Sequence, residues 1–554
     1  MTTETMGTEA VGTRAAELRT RLGDLLDSAN PLGHAAVLAA DERAEMFAEG
    51  ERVLDEFGFN SEFVPAELGG RLRRLDELID VLRAVYRHDP CLGAGYGVSS
   101  FIAASTVWAV GSAEQRADVA TLLVNNGKLA AAYNELAHGN DLPGCEVAVT
   151  PNGHGRVLNG RKEVITNAAR ADALVVFART SPKPGSRSHT PVLVNPAAAP
   201  SPAVVALPRY RTDGLRGLPL AGVEFRDCPV ADDQLIGEPG HGLETALRSF
   251  QVTRVVLSGM TTGLLDTALR VALRHVSSRS LYGGAAMDLP WVRAQLAAAY
   301  ADLVVCETVV DVAARAVHLI PAEASLHAAS AKYLVSGLVS RAVGGLAGVL
   351  GAHSYVRDGA TGMFQKLVRD VKSAAIVHAS RVACQQAILP QLALLARRSW
   401  HDTMPPAPEL FRSGAELPHL RWDRLSVSAK GLDRLSPLVL READRDQGDG
   451  RLGRVVADFA DELRNLAEEC VDLSVGQLQP SAGPRSYELV SRFVTVSAGA
   501  ACLGRWRDQD PVAVAALLTR LPLNGKRRCA TPAPEQTERL LAQLWQRYPS
   551  DLSH

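Results

Sequence analysis

The sequence has no paired cysteines. Its eight, Cys91, Cys145, Cys228, Cys306, Cys384, Cys470, Cys502 and Cys529, stand singly along the chain, so there is neither a CxxC-type metal site nor a redox pair. Isolated cysteines suit a reducing compartment, where they serve as small buried apolar residues. Charge of one sign is also missing. The net charge is −2 over 554 residues, with acids and bases interleaved, so a nucleic-acid or polyanionic partner is not expected. No apolar run approaches the roughly 20 residues needed to cross a bilayer. The opening stretch MTTETMGTEAVGTRAAELRT lacks the basic-then-apolar order of a secretory leader, and the expected location is the cytoplasm. Also absent are a P-loop, a G-x-S-x-G elbow, an HExxH helix and the glycine fingerprint of a dinucleotide fold.

What is present is a soluble globular balance, 47% hydrophobic and 22% charged, on a chain too long for one core. Residues 1–30 start polar and turn helical, an expected N-terminal arm ending near Pro31. From 31 to 128 apolar residues recur at helical spacing, with breaks such as Gly69-Gly70 and Asp89-Pro90, which predicts a helical domain. Near residue 130 the period changes to alternation. CEVAVTPNGHGRVLNGRKEVITNA carries Asn-Gly turn signals at 152–153 and 159–160. Further strands are expected in ADALVVFART, TPVLVNPAA, AVVALP and PLAGVEFRD, with a mobile polar loop at 181–189. This is a middle β domain, 129–237.

Helical period returns at 238 and continues to 400 in segments of about 20–30 residues, as a four-helix bundle would require. Residues 401–430 are proline-rich and read as a linker. Residues 431–554 again show amphipathic helices, a C-terminal helical extension. The fold class is therefore α+β: an N-terminal helical domain, a middle β-barrel-like domain, a C-terminal four-helix bundle and an extra helical domain, without βαβ rhythm.

One segment is specific enough to suggest chemistry. NGRKEVITNAARAD, residues 159–172, resembles the N-G-x-K-x-(W/F)-I-T-N-(G/A) segment of the acyl-CoA dehydrogenase family. The alternative is a plain β-hairpin with an Asn-Gly turn and a surface lysine. AAYNELAHGND (131–141) is similar to the family's Thr-Glu-Pro-Gly-x-Gly-Ser-Asp loop, keeping Glu135, Gly139 and Asp141 but placing Asn134, Leu136 and Asn140 at Thr, Pro and Ser. RTDGLRGLPLAGVEFRDCPVADDQLIGEPGHG (211–242) resembles the family's exit from the sheet. The likeness covers roughly residues 36–400. It implies FAD as cofactor, with Tyr133, Asn134, Asn140, Val164, Ile165 and Thr166 along the flavin. Thr166 would donate toward N5, where arriving hydride builds negative charge.

In the helical part the resemblance places Arg254 beside the substrate, with Gln251 where Asp is common and Thr253 where some members carry an alternative Glu. SSRSLYGG (277–284) resembles E-R-x-Q-F-G, so Arg279 would reach a neighbouring subunit's FAD pyrophosphate and Tyr282 would pack on the adenosine side. GVLGAHSYVRD (348–358) keeps Gly351 and Tyr355 but has Gly348 for the family Gln. RDVKSAAIVHAS (369–380) is similar to the active-site segment R-D-x-x-x-x-x-I-Y-E-G-(T/S). Arg369, Asp370, Ile376 and Ser380 match, while His378 falls on the catalytic Glu. No Asp or Glu occurs from 371 to 390.

The implied function is FAD-dependent α,β-dehydrogenation of an acyl thioester, CoA- or carrier-protein-bound, in a specialised pathway. His378 would be the base and Arg254 its catalytic neighbour, because an imidazole near 6.5 can take a proton at neutral pH. A lone histidine on such a segment is more often a satisfied structural residue. The implied electron acceptor is an electron-transfer flavoprotein or oxygen, and the C-terminal extension implies a homodimer. Two alternatives share the fold: a flavin-dependent monooxygenase, and a catalytically degenerate partner protein.

Overall fold

The computed structural model describes residues 12–153, 155–402, 404–446, 450–523 and 531–552. The chain divides into two compact units. The first is Arg14–Thr253 with His419–Val427, and the second in its main part is residues 254–418 and 428–552.

The first unit begins with helix Thr13–Leu22, which buries Ala15, Leu18 and Leu22. Leu25 and Leu26 are buried after it, so this stretch is packed and not the arm that was expected; leucines at helical spacing give it an apolar face to bury. Helices His34–Arg43 and Ala48–Phe57 follow, separated at Ala44, whose φ of 55° ends the first. Helices Leu75–His88, Ser99–Val110 and Ala113–Val124 complete the helical part.

Seven strands form one sheet: β1 (Leu129–Ala132), β2 (Ala148–Pro151), β3 (Arg156–Thr166), β4 (Ala173–Arg179), β5 (His189–Val194), β6 (Val204–Ala206) and β7 (Leu220–Val230). Their order is β1-β4-β2-β3-β7-β6, with β5 on β4. Alternate residues such as Leu158, Ile165, Leu174, Val176, Val223 and Phe225 fill its core, as the period of two requires. Asn152-Gly153 lies in the β2–β3 connection as expected. Asn159-Gly160 does not make a turn. It sits inside β3 as an irregularity against β7, because Gly160, at φ 120°, lets the strand pass close to Val147. The 181–189 loop is exposed only over 182–187, and Ser188 and His189 are buried.

The second unit holds three long helices, Gly242–Ser277 (from Arg254 onward), Pro290–Leu319 and Ala324–Leu350. The expected fourth is broken into short pieces, Gly362–Asp370, Arg381–Ile388 and Leu392–Arg398, with 3-10 turns between them. A left-handed His378 and Pro390 account for the breaks. Helices Leu438–Asp446, Gly450–Cys470, Pro484–Trp506, Pro511–Thr519 and Pro534–Arg547 form the C-terminal part. The seven described cysteines are free and buried, and Cys529 lies outside the described residues.

Against the expectation of no such run, Gly242–Ser277 and Pro321–Ser354 are long and apolar enough to cross a membrane by length and composition. The apolar window of the first is 94% buried inside the protein, as in a core helix.

Candidate functional site

The segment 369–380 is a helix end followed by a tight reversal. Asp370 is buried and accepts from Lys366 Nζ at 2.7 Å. A 3-10 turn, Val371–Ala375, follows, and Ile376 and Val377 are exposed. His378 then takes φ 65°, a region that histidine enters more readily than β-branched residues do. Ser380 caps the next helix by accepting from the Ala383 N–H at 3.1 Å. That bond occupies the Ser380 hydroxyl with a structural task.

Cations surround His378. Burial, then the Arg254 and Lys332 charges, push its imidazole well below the usual 6.5. Lys332 is 3% exposed and donates to the Ala374 carbonyl at 2.9 Å. Burial pulls its ammonium down to about 8, with Cys384 opposing and Arg254 adding to the shift. Arg254 is 6% exposed, and its Nε has no hydrogen-bond partner among the described residues. Burial also raises the Cys384 thiol, against the lowering charges of Arg254, Lys332 and Arg381. The Arg381 guanidinium lies over the Tyr333 ring, 4.1 Å from its centroid.

The other site residues of this unit lie in separate elements. Arg279 Nη1 is 2.9 Å from His275 Nε2, and the His275 and His353 rings are 4.7 Å apart. Burial, His353 and Arg279 together push His275 down to about 4. Tyr282 is 94% exposed at φ 54°. Gly351, at φ 56°, has open space where a side chain would be.

In the first unit, a buried ion pair joins the 133–147 loop to β3. Lys162 Nζ lies 2.7 Å from Glu135 Oε1 and donates to the Tyr133 carbonyl at 3.1 Å. The Glu135 carboxylate also accepts from the Glu146 and Val147 N–H groups at 2.8 and 3.1 Å. Tyr133 turns its ring into the core, with its hydroxyl 2.7 Å from Thr106 Oγ1 and its ring stacked on Phe177. Ile165 is likewise a core side chain. Val164 occupies an irregularity of β3 at φ 58°. The exposed Asn134 accepts on its carbonyl from Glu163 N–H at 3.0 Å, and Asn140 is exposed.

Residues 130–228 match the family profile described as "Acyl-CoA dehydrogenase, middle domain", and residues 240–378 match "Acyl-CoA dehydrogenase, C-terminal domain". The chain carries the middle and C-terminal domains of the acyl-CoA dehydrogenases. It is 29% identical over 237 residues to the short-chain specific acyl-CoA dehydrogenase of human mitochondria, covering 42% of this chain and 56% of that protein. It therefore spans less than two thirds of that relative's length. Among solved structures it resembles a glutaryl-coenzyme A dehydrogenase, with a TM-score of 0.59 and 21% identity over 68% of this chain and 93% of the other. It also resembles the prolyl acyl carrier protein oxidase AnaB, with a TM-score of 0.58 and 18% identity over 68% and 98%. Both likenesses show the α+β fold.

Acyl-CoA dehydrogenases are FAD-dependent oxidoreductases. In this chain the residues fit a flavin through main chain and small polar groups. The Asn134 amide and the Thr166 hydroxyl make no hydrogen bond among the described residues. Tyr133 and Ile165 can offer only backbone, since their side chains are in the core. Sequence reasoning missed Lys162, Lys332 and Arg381. Lys332 had a signal, as the one lysine in the acid-free run ASLHAASAKYLVSGLVSRAVG.

Proposed function

We propose that this chain is an FAD-dependent oxidoreductase that removes the α-proton and β-hydride of an acyl thioester carried by CoA or a carrier protein, with His378 in the base position. The observation that supports this reading is that the match to the family's C-terminal domain runs through His378, with the buried cations Arg254 and Lys332 lowering its imidazole. FAD, when bound, supplies the hydride acceptor. Thr166 and Asn134 would hold it through the hydroxyl and amide, with the backbone of Tyr133, Val164 and Ile165 alongside and Asn140 near the acyl group. Arg279, Tyr282 and Gly351 would serve the part of the cofactor shared between copies of a homodimer.

A neutral imidazole accepts a proton but is a weak base when its charged form is disfavoured. Arg254 and Lys332 offset part of that weakness. They stabilise negative charge developing on the thioester oxygen, which makes the α-proton more acidic. Electrons would leave to an electron-transfer flavoprotein or to oxygen.

The test is to add FAD to the purified full chain and titrate it anaerobically with acyl thioester. Bleaching of the flavin bands supports the reading. A protein that gains no flavin absorbance on addition of FAD overturns it. The missing carboxylate favours one second reading, a flavin-dependent monooxygenase. Product hydroxylation that requires both a reductase and oxygen would show it.

A further inference from the structure

The His378 reversal is held on both sides by neighbouring residues of one long helix. A residue other than glycine keeps a left-handed backbone only where its surroundings over-determine it, and His378 stands at φ 65°. On the limb before it, Lys332 of Ala324–Leu350 donates to the Ala374 carbonyl at 2.9 Å. On the limb after it, Ser380 caps helix Arg381–Ile388. The Arg381 guanidinium of that helix rests 4.1 Å from the centroid of the Tyr333 ring. Gly337, one turn on from Tyr333, leaves room for the guanidinium, since a Cβ there would collide with it.

The C-terminal extension completes the hold. Gln385, 8% exposed, directs its Nε2 protons into helix Pro484–Trp506, to the Tyr487 carbonyl and to Ser491 Oγ, each at 3.0 Å. Ser491 Oγ also lies 3.0 Å from the Tyr487 carbonyl and 2.7 Å from Tyr333 Oη. A serine hydroxyl has one proton and two acceptor positions. Its proton goes to the carbonyl, so Tyr333 donates to it, and every hydrogen-bonding position of the group is used. A satisfied network of this kind fixes one arrangement of the groups that share it. Gln385, Tyr487 and Ser491 all lie beyond the match to the family's C-terminal domain, which ends at residue 378.

We propose that Ser491 is a positioning residue for the reaction. Through Tyr333 and Gln385 the extension fixes helix Arg381–Ile388, and with it the direction of the His378 imidazole. This rests on the proposed function for the task of His378, but not for the anchoring itself.

The test sets Ser491→Ala against Ser491→Thr, which keeps the hydroxyl, in the full chain. Amide hydrogen exchange over 376–383, read by mass spectrometry, should rise about fivefold in Ser491→Ala, the factor that loss of one hydrogen bond gives to a local opening. In Ser491→Thr it should stay at the natural rate. Anaerobic bleaching of the FAD-loaded chain by butanoyl-CoA should slow roughly tenfold at saturation in Ser491→Ala, because a misplaced base takes the proton less often. The half-saturating concentration should not change, and Ser491→Thr should restore the rate. Tyr333→Phe removes one bond of the network and keeps the ring under Arg381. It should give the same pattern at smaller size, even where Ser491→Ala does not fold. Unchanged exchange over 376–383 in the folded variants that lack a network hydroxyl overturns the inference, whether or not the flavin bleaches. Faster exchange with an unchanged bleaching rate overturns it too, since the anchoring would then have no bearing on the chemistry. If butanoyl-CoA does not bleach the natural chain, that counts against the proposed function, and faster exchange in Ser491→Ala still supports the anchoring.

Discussion

Lys162 and Glu135, twenty-seven residues apart in the chain, form a 2.7 Å ion pair with both side chains buried. The carboxylate also takes two backbone N–H groups, so the pair fixes the 133–147 loop onto β3. Removing one partner of a buried pair typically costs about 3–5 kcal/mol. Lys162→Met should lower unfolding free energy by that order in urea titrations.

The acid stability of the same pair has a defined sign. Burial raises the Glu135 carboxyl, but the Lys162 charge and the hydrogen bonds outweigh it and hold it below the usual 4.5. Its contribution is complete above that value and is lost as pH falls through the lower folded one. Lys162→Met should therefore cost most at neutral pH and progressively less in acid, as measured by pH-dependent melting.

His378 sits well below 6.5 because of burial and of Arg254 and Lys332, so its base form persists into mild acid. Single-turnover flavin bleaching should show no loss of rate as pH passes from 7 down through 6.5. A limb near 6.5 would contradict this environment. With the imidazole as the working base, His378→Glu should leave the anaerobic bleaching rate unchanged or lower it; a rise of roughly tenfold would identify His378 as a remnant of a carboxylate site.

Lys332 is pulled down to about 8 from 10.5. Folding pays for its buried charge below about pH 8, and that penalty is relieved as pH rises from there toward 10.5. Lys332→Met should thus be more stable than the natural chain at pH 7, with the advantage shrinking in alkali. Differential scanning calorimetry at pH 7 and pH 9.5 reads the difference directly.

Asp302 on helix Pro290–Leu319 is fully buried and accepts from Arg341 Nη2 at 2.8 Å and Arg520 Nε at 2.9 Å. Asp302→Asn leaves two guanidiniums competing for a neutral acceptor. We expect a loss of about 3–5 kcal/mol and faster tryptic cleavage among the C-terminal helices.

The sequence by itself determined the element types and their order. Apolar spacing near 3.6 marks the helices Gly242–Ser277, Pro290–Leu319 and Ala324–Leu350, and alternation marks β2, β3 and β4. Both follow from local geometry, which a one-dimensional pattern records. The family motifs likewise mark position 378 from the sequence alone. Two local signals misled. Asn159-Gly160 is a turn dipeptide in isolation, but pairing with β7 holds it inside a strand. The helical pattern past 370 is interrupted where His378 adopts a left-handed backbone.

Only the tertiary structure decided which charges meet. Lys162 could have been a surface lysine, and nothing adjacent to it in sequence specifies Glu135. Arg254, Lys332 and Arg381 lie on three separate elements, and their shared neighbourhood is set by how those helices pack. Electrostatic effects act through space and grow as water is excluded. Whether position 378 carries a strong or a weak base therefore depends on neighbours more than forty residues away from it in the chain, Lys332 and Arg254.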